Sequence, residues 1–324
     1  LIVSFYIKLF LVVIWGGKFT FLLKNYLFFS YFCLLKLKIV KKQEAKIRIA
    51  ELTAELERHN HNYYVLNAPE ITDFQYDLLM IELQELEKMF PEFAHKDSPT
   101  VNVGSDLSVK EQFEQFPHKY PMLSLSNTYN IGELEEFSNR ISKGTDRPFT
   151  LTCELKFDGT AICLTYKKGK LFRALTRGDG TVGDDVTRNV LQIPSIPKQL
   201  VEGSNFPDEF EIRGEIYMPY KAFDKLNYQR ELDEEQPFAN PRNAASGSLK
   251  LQDPKQVKDR GLECTLYHLL CEEPVAPTHT QSLEKAKEWG LPVSEHFKEC
   301  NTVEEVESAL EQITVTTGLT QGRL

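Results

Sequence analysis

The sequence predicts an α+β protein in which a small helical domain precedes a larger domain dominated by antiparallel strands. Three observations carry this. Apolar residues recur at helical spacing between residues 44 and 90, strand-like stretches take over beyond Pro148, and short turns rather than crossover helices separate several of those stretches.

At 324 residues, 41% of them hydrophobic and 26% charged, the chain is long enough for two cored domains, and disorder is excluded. A net charge of −9 gives no overall attraction to phosphate backbones, so a nucleic-acid partner must be argued from motifs. The six cysteines are scattered without a CxxC pair, so neither a zinc cluster nor a disulfide framework is readable and free thiols in a reducing cytoplasm are expected.

Taken in order, residues 1–43 hold no acidic residue and are crowded with Phe, Leu and Tyr. A membrane or targeting segment is one reading. Lys8, Lys18, Lys24 and Lys36 break the run into pieces shorter than the roughly 20 residues a span requires, and the order of a signal peptide is absent. The preferred reading is sequence that does not belong to the folded protein. Next, "EAKIRIAELTAELERHNHNYYVL" places Ile47, Ile49, Leu52, Leu56, Tyr63 and Tyr64 near helical spacing. A second helix follows a tight loop, with Thr72 and Gln75 in capping-box spacing ahead of Leu78, Leu79, Ile81, Leu83 and Leu86.

Residues 100–132 read as loop and linker, and a helix is expected over Gly132–Ser142. "FTLTCELKF", "TAICLTYKKGKLFRALTR" and "EFEIRGEIYMP" read as strands, with "KKGK" as a hairpin turn. Helices return at "YKAFDKLNYQRELD", "QSLEKAKEWG" and "TVEEVESALEQI".

Two segments point to chemistry. In "CELKFDGTA" an extended chain would set Glu154, Lys156 and Asp158 on one face and Leu155 and Phe157 on the other. A solvated strand face is the plain alternative. "TRGDGTVGDD" carries Gly178, Gly180 and Gly183 in GxGxxG spacing, but hairpins rather than βαβ units precede it, which weighs against a dinucleotide-binding turn.

Lys156 in "ELKFDG", then "TRGDGTVGDDVT", "EIRGEIYMP" and "NPRNAASGSL", preceded by "NYYVLNAPEITDFQYDLL", closely resemble bacterial NAD-dependent DNA ligases over residues 44–312. The resemblance implies a helical domain, 44–110, that binds the nicotinamide mononucleotide (NMN) half of NAD. It implies an adenylation domain, 111–312, of nucleotidyltransferase fold, ATP-grasp-like and of the DNA ligase and mRNA capping type. The implied enzyme moves AMP from NAD to Lys156, releases NMN and seals nicks in duplex DNA through lysyl-AMP, in replication and repair. Mg²⁺ is the implied cofactor beside NAD; nicked double-stranded DNA is the implied partner of the full-length family. A cytoplasmic monomer without a membrane partner is expected.

By the same resemblance Glu154, Asp158, Arg177, Glu215 and Arg242 serve the nucleotide, Ser124 and Leu125 the adenine side, and Tyr63, Asp73, Phe74, Gln75, Tyr76 and Asp77 the NMN site. Lys250 stands where some relatives carry arginine. No metal ligand is assigned. A free lysine is mostly protonated, so Lys156 needs burial, a neighbouring cation such as Arg177, or a metal to favour the neutral amine. Rings at Tyr63 and Tyr76 suit a planar pyridinium and the carboxylates its charge and ribose hydroxyls; the plain alternative is core tyrosines and an acidic helix start at Asp73.

Beyond "VEEVESALEQI" the family continues into a strand with an Asp-Gly element and a catalytic lysine, whereas residues 313–324 carry none, and no lysine follows Lys298. The family's zinc-binding cysteines have no counterpart. The sequence therefore reads as a fragment with an incomplete adenylation domain, lacking the family's later catalytic motifs and DNA-binding domains; nick sealing is expected to be absent and self-adenylation weak or absent, and the alternative is a catalytically inactive NAD- or NMN-binding remnant.

Overall fold

The computed structural model of the chain describes residues 42–64, 69–101, 113–123, 128 and 130–317. It divides into two compact units, one formed by the chain up to Leu56 with Asp73–Val101, the other by Glu57–Thr72 with everything from Asn102. The readings made for residues 1–41, for Ser124 and Leu125, and for 318–324 lie outside the described residues. Among the described residues no helix is long and apolar enough to cross a membrane.

In the first unit, helix α1 (Lys42–Tyr64) contributes its N-terminal turns and pairs with helix α2 (Asp73–Met89), which starts directly after Thr72 and is followed by a 3-10 turn at Pro91–Phe93. Ile49, Leu52 and Leu56 close on Leu83 and Leu86, with Tyr76, Leu79, Met80, Phe90 and Phe93 packed around them. Each fully buried aliphatic side chain is worth roughly 1.5–3 kcal/mol. Ile47, Leu78 and Ile81, expected in the apolar stripe, are instead exposed at 52%, 52% and 46%. Two helices in a hairpin bury one face each, and these three point away from the seam. Arg48 clamps the pair from outside, both of its bonds to the Glu82 carboxylate measuring 2.7 Å.

The second unit holds strand β1 (Gln115–Pro117), helix α3 (Ile131–Gly144), strands β2 (Leu151–Glu154), β3 (Thr160–Lys167), β4 (Lys170–Thr176) and β5 (Val182–Asp184), and a short helix α4 (Thr187–Val190). These are followed by β6 (Glu209–Tyr217), α5 (Tyr220–Leu232), α6 (Pro241–Leu249), α7 (Pro254–Asp259), β7 (Glu263–Leu270), α8 (His279–Glu288), β8 (Phe297–Cys300) and α9 (Val303–Thr317). A four-stranded antiparallel sheet in the order β4-β3-β6-β7 forms its centre, with two-stranded pairs β1-β5 and β2-β8 beside it. The hairpin between β3 and β4 turns where read, through Lys168 and Gly169 at φ of 49° and 74°, the double left-handed conformation of a tight hairpin turn. Helix α3 begins under a cap, the Asn130 side chain accepting from the Glu133 amide at 3.1 Å.

Alternation along the central strands sorts two kinds of face. Ile162, Leu164 and Tyr166 of β3 and Phe210, Ile212 and Ile216 of β6 join the main core with Ala244, Ala245 and Leu249 of α6 and Trp289. The Phe210 ring lies 5.1 Å from that of Trp289. On the opposite face, Cys163 and Thr165 sit across from Arg213 and Glu211, and Ala161 across from Glu215; all three charged residues are buried. A satellite core of Cys153, Cys300, Val306 and Ala309 ties β2 and β8 to α9.

Candidate active site

Strand β2 is shorter than its sequence suggested. It ends at Glu154, opposite Phe297, and the chain crosses through residues 155–159 to rejoin the central sheet at Thr160, opposite Ile216. Lys156 therefore lies on the crossing between two sheets, not in a strand. The cause is local. A Cβ on Gly159 would stand 2.2 Å from the Ile216 carbonyl oxygen, so only glycine lets the backbone meet β6 there. The expected alternation still holds along the crossing, where Lys156 and Asp158 are exposed while Leu155 and Phe157 are half-buried. Phe157 anchors it, its ring centroid 5.0 Å from that of Tyr217.

Around Lys156 the structure gathers several residues far apart in sequence. Arg242, at the start of α6, donates from Nη1 to Asp158 Oδ1 at 2.9 Å, and its guanidinium lies 5.0 Å from the Tyr63 ring centroid. Helix α6 presents that arginine because Asn240 caps it, accepting from the Asn243 amide at 2.8 Å, and Pro241 fills the first turn. Burial alone would lower the guanidinium, but Tyr63, Asp158 and Glu215 outweigh it and hold it above its ordinary value. Glu215 on β6 accepts from the Gly159 amide and is 8% exposed. Burial pushes its carboxyl up to about 7 and Asp158 adds to the rise, while Arg242, Lys156 and the Gly159 amide oppose it. The result is a carboxyl poised near neutrality, in the field of the Lys156 ammonium.

The remaining candidates are dispersed. Glu154, at the end of β2, lies 2.8 Å from His279 Nε2 at the start of α8, and the His279 ring is 6.0 Å from that of His268. Arg177 directly follows β4. Within the helical unit Gln75 is exposed, and Tyr76 and Asp77 are half-buried on α2. Asp73 and Phe74 open that helix, and their side chains lie outside the description. Lys250 is committed elsewhere: its Nζ lies 3.0 Å from Oδ2 of Asp184, a carboxylate with no exposed surface that also accepts from Gln115 at 3.0 Å. It ties the end of α6 to β5.

The glycine-rich turn does not act as an anion cradle. Its Thr181 and Val182 amides both donate to the Asp179 carboxylate, each at 2.8 Å, so an internal anion occupies the place a phosphate would take in a dinucleotide-binding turn. Its glycines serve close approach: a Cβ on Gly180 would come within 2.8 Å of the Met122 carbonyl oxygen. The linker over residues 115–122 runs along this turn through the β1-β5 pairing and the bonds His118 N to Thr181 O and Met122 N to Gly180 O, both 2.8 Å.

Sequence reasoning missed His279, whose partner is 125 positions away, and it missed strand β1, whose three residues show no pattern. Arg213 could have been found, because Glu211, Arg213 and Glu215 alternate along a strand that was recognised.

Comparison with known proteins fits this geometry. The family described as NAD-dependent DNA ligase adenylation domain matches residues 110–318, and that described as DNA ligase-like, N-terminal NAD+-binding domain, matches 42–104. The chain belongs to the NAD-dependent DNA ligase family. Relatives named DNA ligase include that of Parabacteroides distasonis, 54% identical over 263 residues, or 81% of this chain and 39% of that protein. Those of Phocaeicola vulgatus and Bacteroides fragilis are 52% and 51% identical, over 80% and 81% of this chain and 38% and 39% of theirs. The chain thus spans about two-fifths of the length of these relatives.

Proposed function

We propose that this chain carries the first step of a DNA ligase, transfer of AMP from NAD to Lys156 with release of NMN, and that the helical unit takes the NMN half of NAD. The observation that carries this reading is the grouping of Lys156, Asp158, Glu215 and Arg242 at one crossing between sheets, in a chain of this family. The Lys156 Nζ lone pair forms a bond to the adenylyl phosphorus as the bond from that phosphorus to the bridging oxygen breaks. The electron pair leaves with the NMN phosphate. The ammonium proton must depart before the attack, and Lys156 stands in the field of the buried Glu215 carboxyl at this crossing. Arg242 supplies fixed positive charge toward the phosphates, and catalysis rests on positioning and charge stabilisation.

Among the described residues no group of three or more acidic, histidine or cysteine side chains could hold a metal by itself. Mg²⁺ usually binds through one or two carboxylates together with substrate phosphates, and Glu215 and Asp158 are the carboxylates at hand, so the site fits an ion brought with NAD. Such an ion would neutralise charge on the phosphates. As part of the whole protein, the AMP would pass to the 5′-phosphate of a nick in duplex DNA.

Intact mass after incubation with Mg²⁺ and either NAD or ATP tests the reading. The expected result is a gain of one AMP from NAD alone, lost in Lys156→Ala. Uptake from ATP, or undiminished uptake by Lys156→Ala, would refute it.

A further inference from the structure

Beneath the linker lies a buried polar cluster that the transfer step does not use. Three of its atoms, His118 Nδ1, Arg213 Nε and Glu211 Oε2, are buried without a hydrogen-bond partner. Arg213 and Glu211 are 9% and 7% exposed, and the Cys163 thiol, facing Arg213 across the strands, contacts both side chains. Beside the Cys163 contacts and a His118 bond to the Thr176 backbone, two bonds of the cluster reach backbone carbonyls of other segments. Arg213 Nη2 donates to the Tyr120 carbonyl at 2.6 Å, and His118 Nε2 stands 3.0 Å from the Arg177 carbonyl. A carbonyl only accepts, so the ring proton sits on Nε2 and Nδ1 is left as a bare acceptor.

Burying polar groups with part of their capacity unmet is unfavourable, and apolar residues would fasten a loop more cheaply. What directed hydrogen bonds add is fixed geometry. The geometry here borders the proposed site: one bond holds the Arg177 backbone, the other holds the linker at Tyr120, and Arg213 is two residues from Glu215 on the same face of β6.

We propose that His118 and Arg213 are positioning residues for adenylyl transfer, clasping residues 113–123 to the polar face of the sheet so that Arg177 is held to meet NAD. This rests on the function proposed above. The clasp acts on binding of the nucleotide rather than on the attack by Lys156.

The test uses the full chain, with His118→Phe and Arg213→Met removing the donors and His118→Gln and Arg213→Lys retaining one. Single-turnover AMP uptake is followed against NAD concentration, and hydrogen exchange is read by peptide. Loss of one directed hydrogen bond should raise the half-saturating NAD concentration about tenfold in Phe and Met, with the maximal rate within about threefold. Exchange should quicken in 113–123 and stay slow in β3 and β6, and Gln and Lys should recover most of the affinity. Unchanged half-saturation in Phe and Met overturns the clasp, as does equal damage from the donor-retaining variants. General loss of protection across β3 and β6 also overturns it, since the cluster would then be a folding element. A parent chain that takes up no AMP refutes the function itself and the clasp with it; an adenylated parent with unaffected variants refutes the clasp alone.

Discussion

The two faces of strands β3 and β6 are built from alternate residues of the same segments, yet they do opposite work. One face, from Ile162, Leu164, Tyr166, Phe210, Ile212 and Ile216, closes the main core. The other buries Glu211, Arg213 and Glu215. The first is favourable without any particular orientation, because burial of apolar area is non-directional. The second is costly unless each group meets a directed partner. The contrast separates two kinds of burial: one face is favourable by area alone, while the other keeps charge buried beside the crossing that carries Lys156 and depends on directed partners.

Substitutions on the two faces should therefore separate stability from activity. The largest effect is expected at Ile212→Ala, which should lower unfolding free energy by about 4 kcal/mol through lost burial and a cavity, while folded molecules still take up AMP; denaturant unfolding checks it. Lys250→Met, which removes the cation paired with the buried Asp184 carboxylate but leaves its Gln115 bond, should cost about 3 kcal/mol by the same assay. Arg242→Ala should slow AMP uptake on the order of a hundredfold in rapid-quench assays, with a smaller change in stability.

A pH series sharpens the contrast further. Folding raises Glu215 from an ordinary 4.5 to about 7, so the folded state keeps a proton that the unfolded state has released. Its contribution to stability is fully present below about 4.5 and is lost as pH rises through about 7. Glu215→Gln should remove that part of the slope in unfolding measured across this window, and should impair AMP uptake. His118 runs the other way. Burial lowers it from 6.5, with Arg213 adding and the Arg177 carbonyl and Glu211 opposing, so its contribution is present above 6.5 and is lost as pH falls through the depressed value. The smallest effect belongs to Arg48→Ala, below about 1 kcal/mol, because its pair with Glu82 is largely solvated.

Much of this was legible in the sequence. Helical periodicity gave both helices of the first unit, but it could not say which apolar residues face the seam, so Ile47, Leu78 and Ile81 were placed inward and lie outside. The charged alternation at Glu154, Lys156 and Asp158 pointed to the stretch proposed to carry the transfer, although its frame is a crossing fixed by Gly159 and not a strand. The glycine triplet was rightly set aside as a dinucleotide-binding turn on the hairpins that precede it, although spacing does not reveal that Asp179 takes the amides. The pairings of Glu154 with His279 and of Lys250 with Asp184 join residues remote in sequence, and no local pattern encodes them.

The most direct measurement is the location of the adduct: tandem mass spectrometry of peptides from the chain incubated with NAD and Mg²⁺, digested under conditions that preserve a phosphoramidate. The account predicts AMP on Lys156 alone. AMP on Lys250 or another lysine, with Lys156 unmodified, would contradict it.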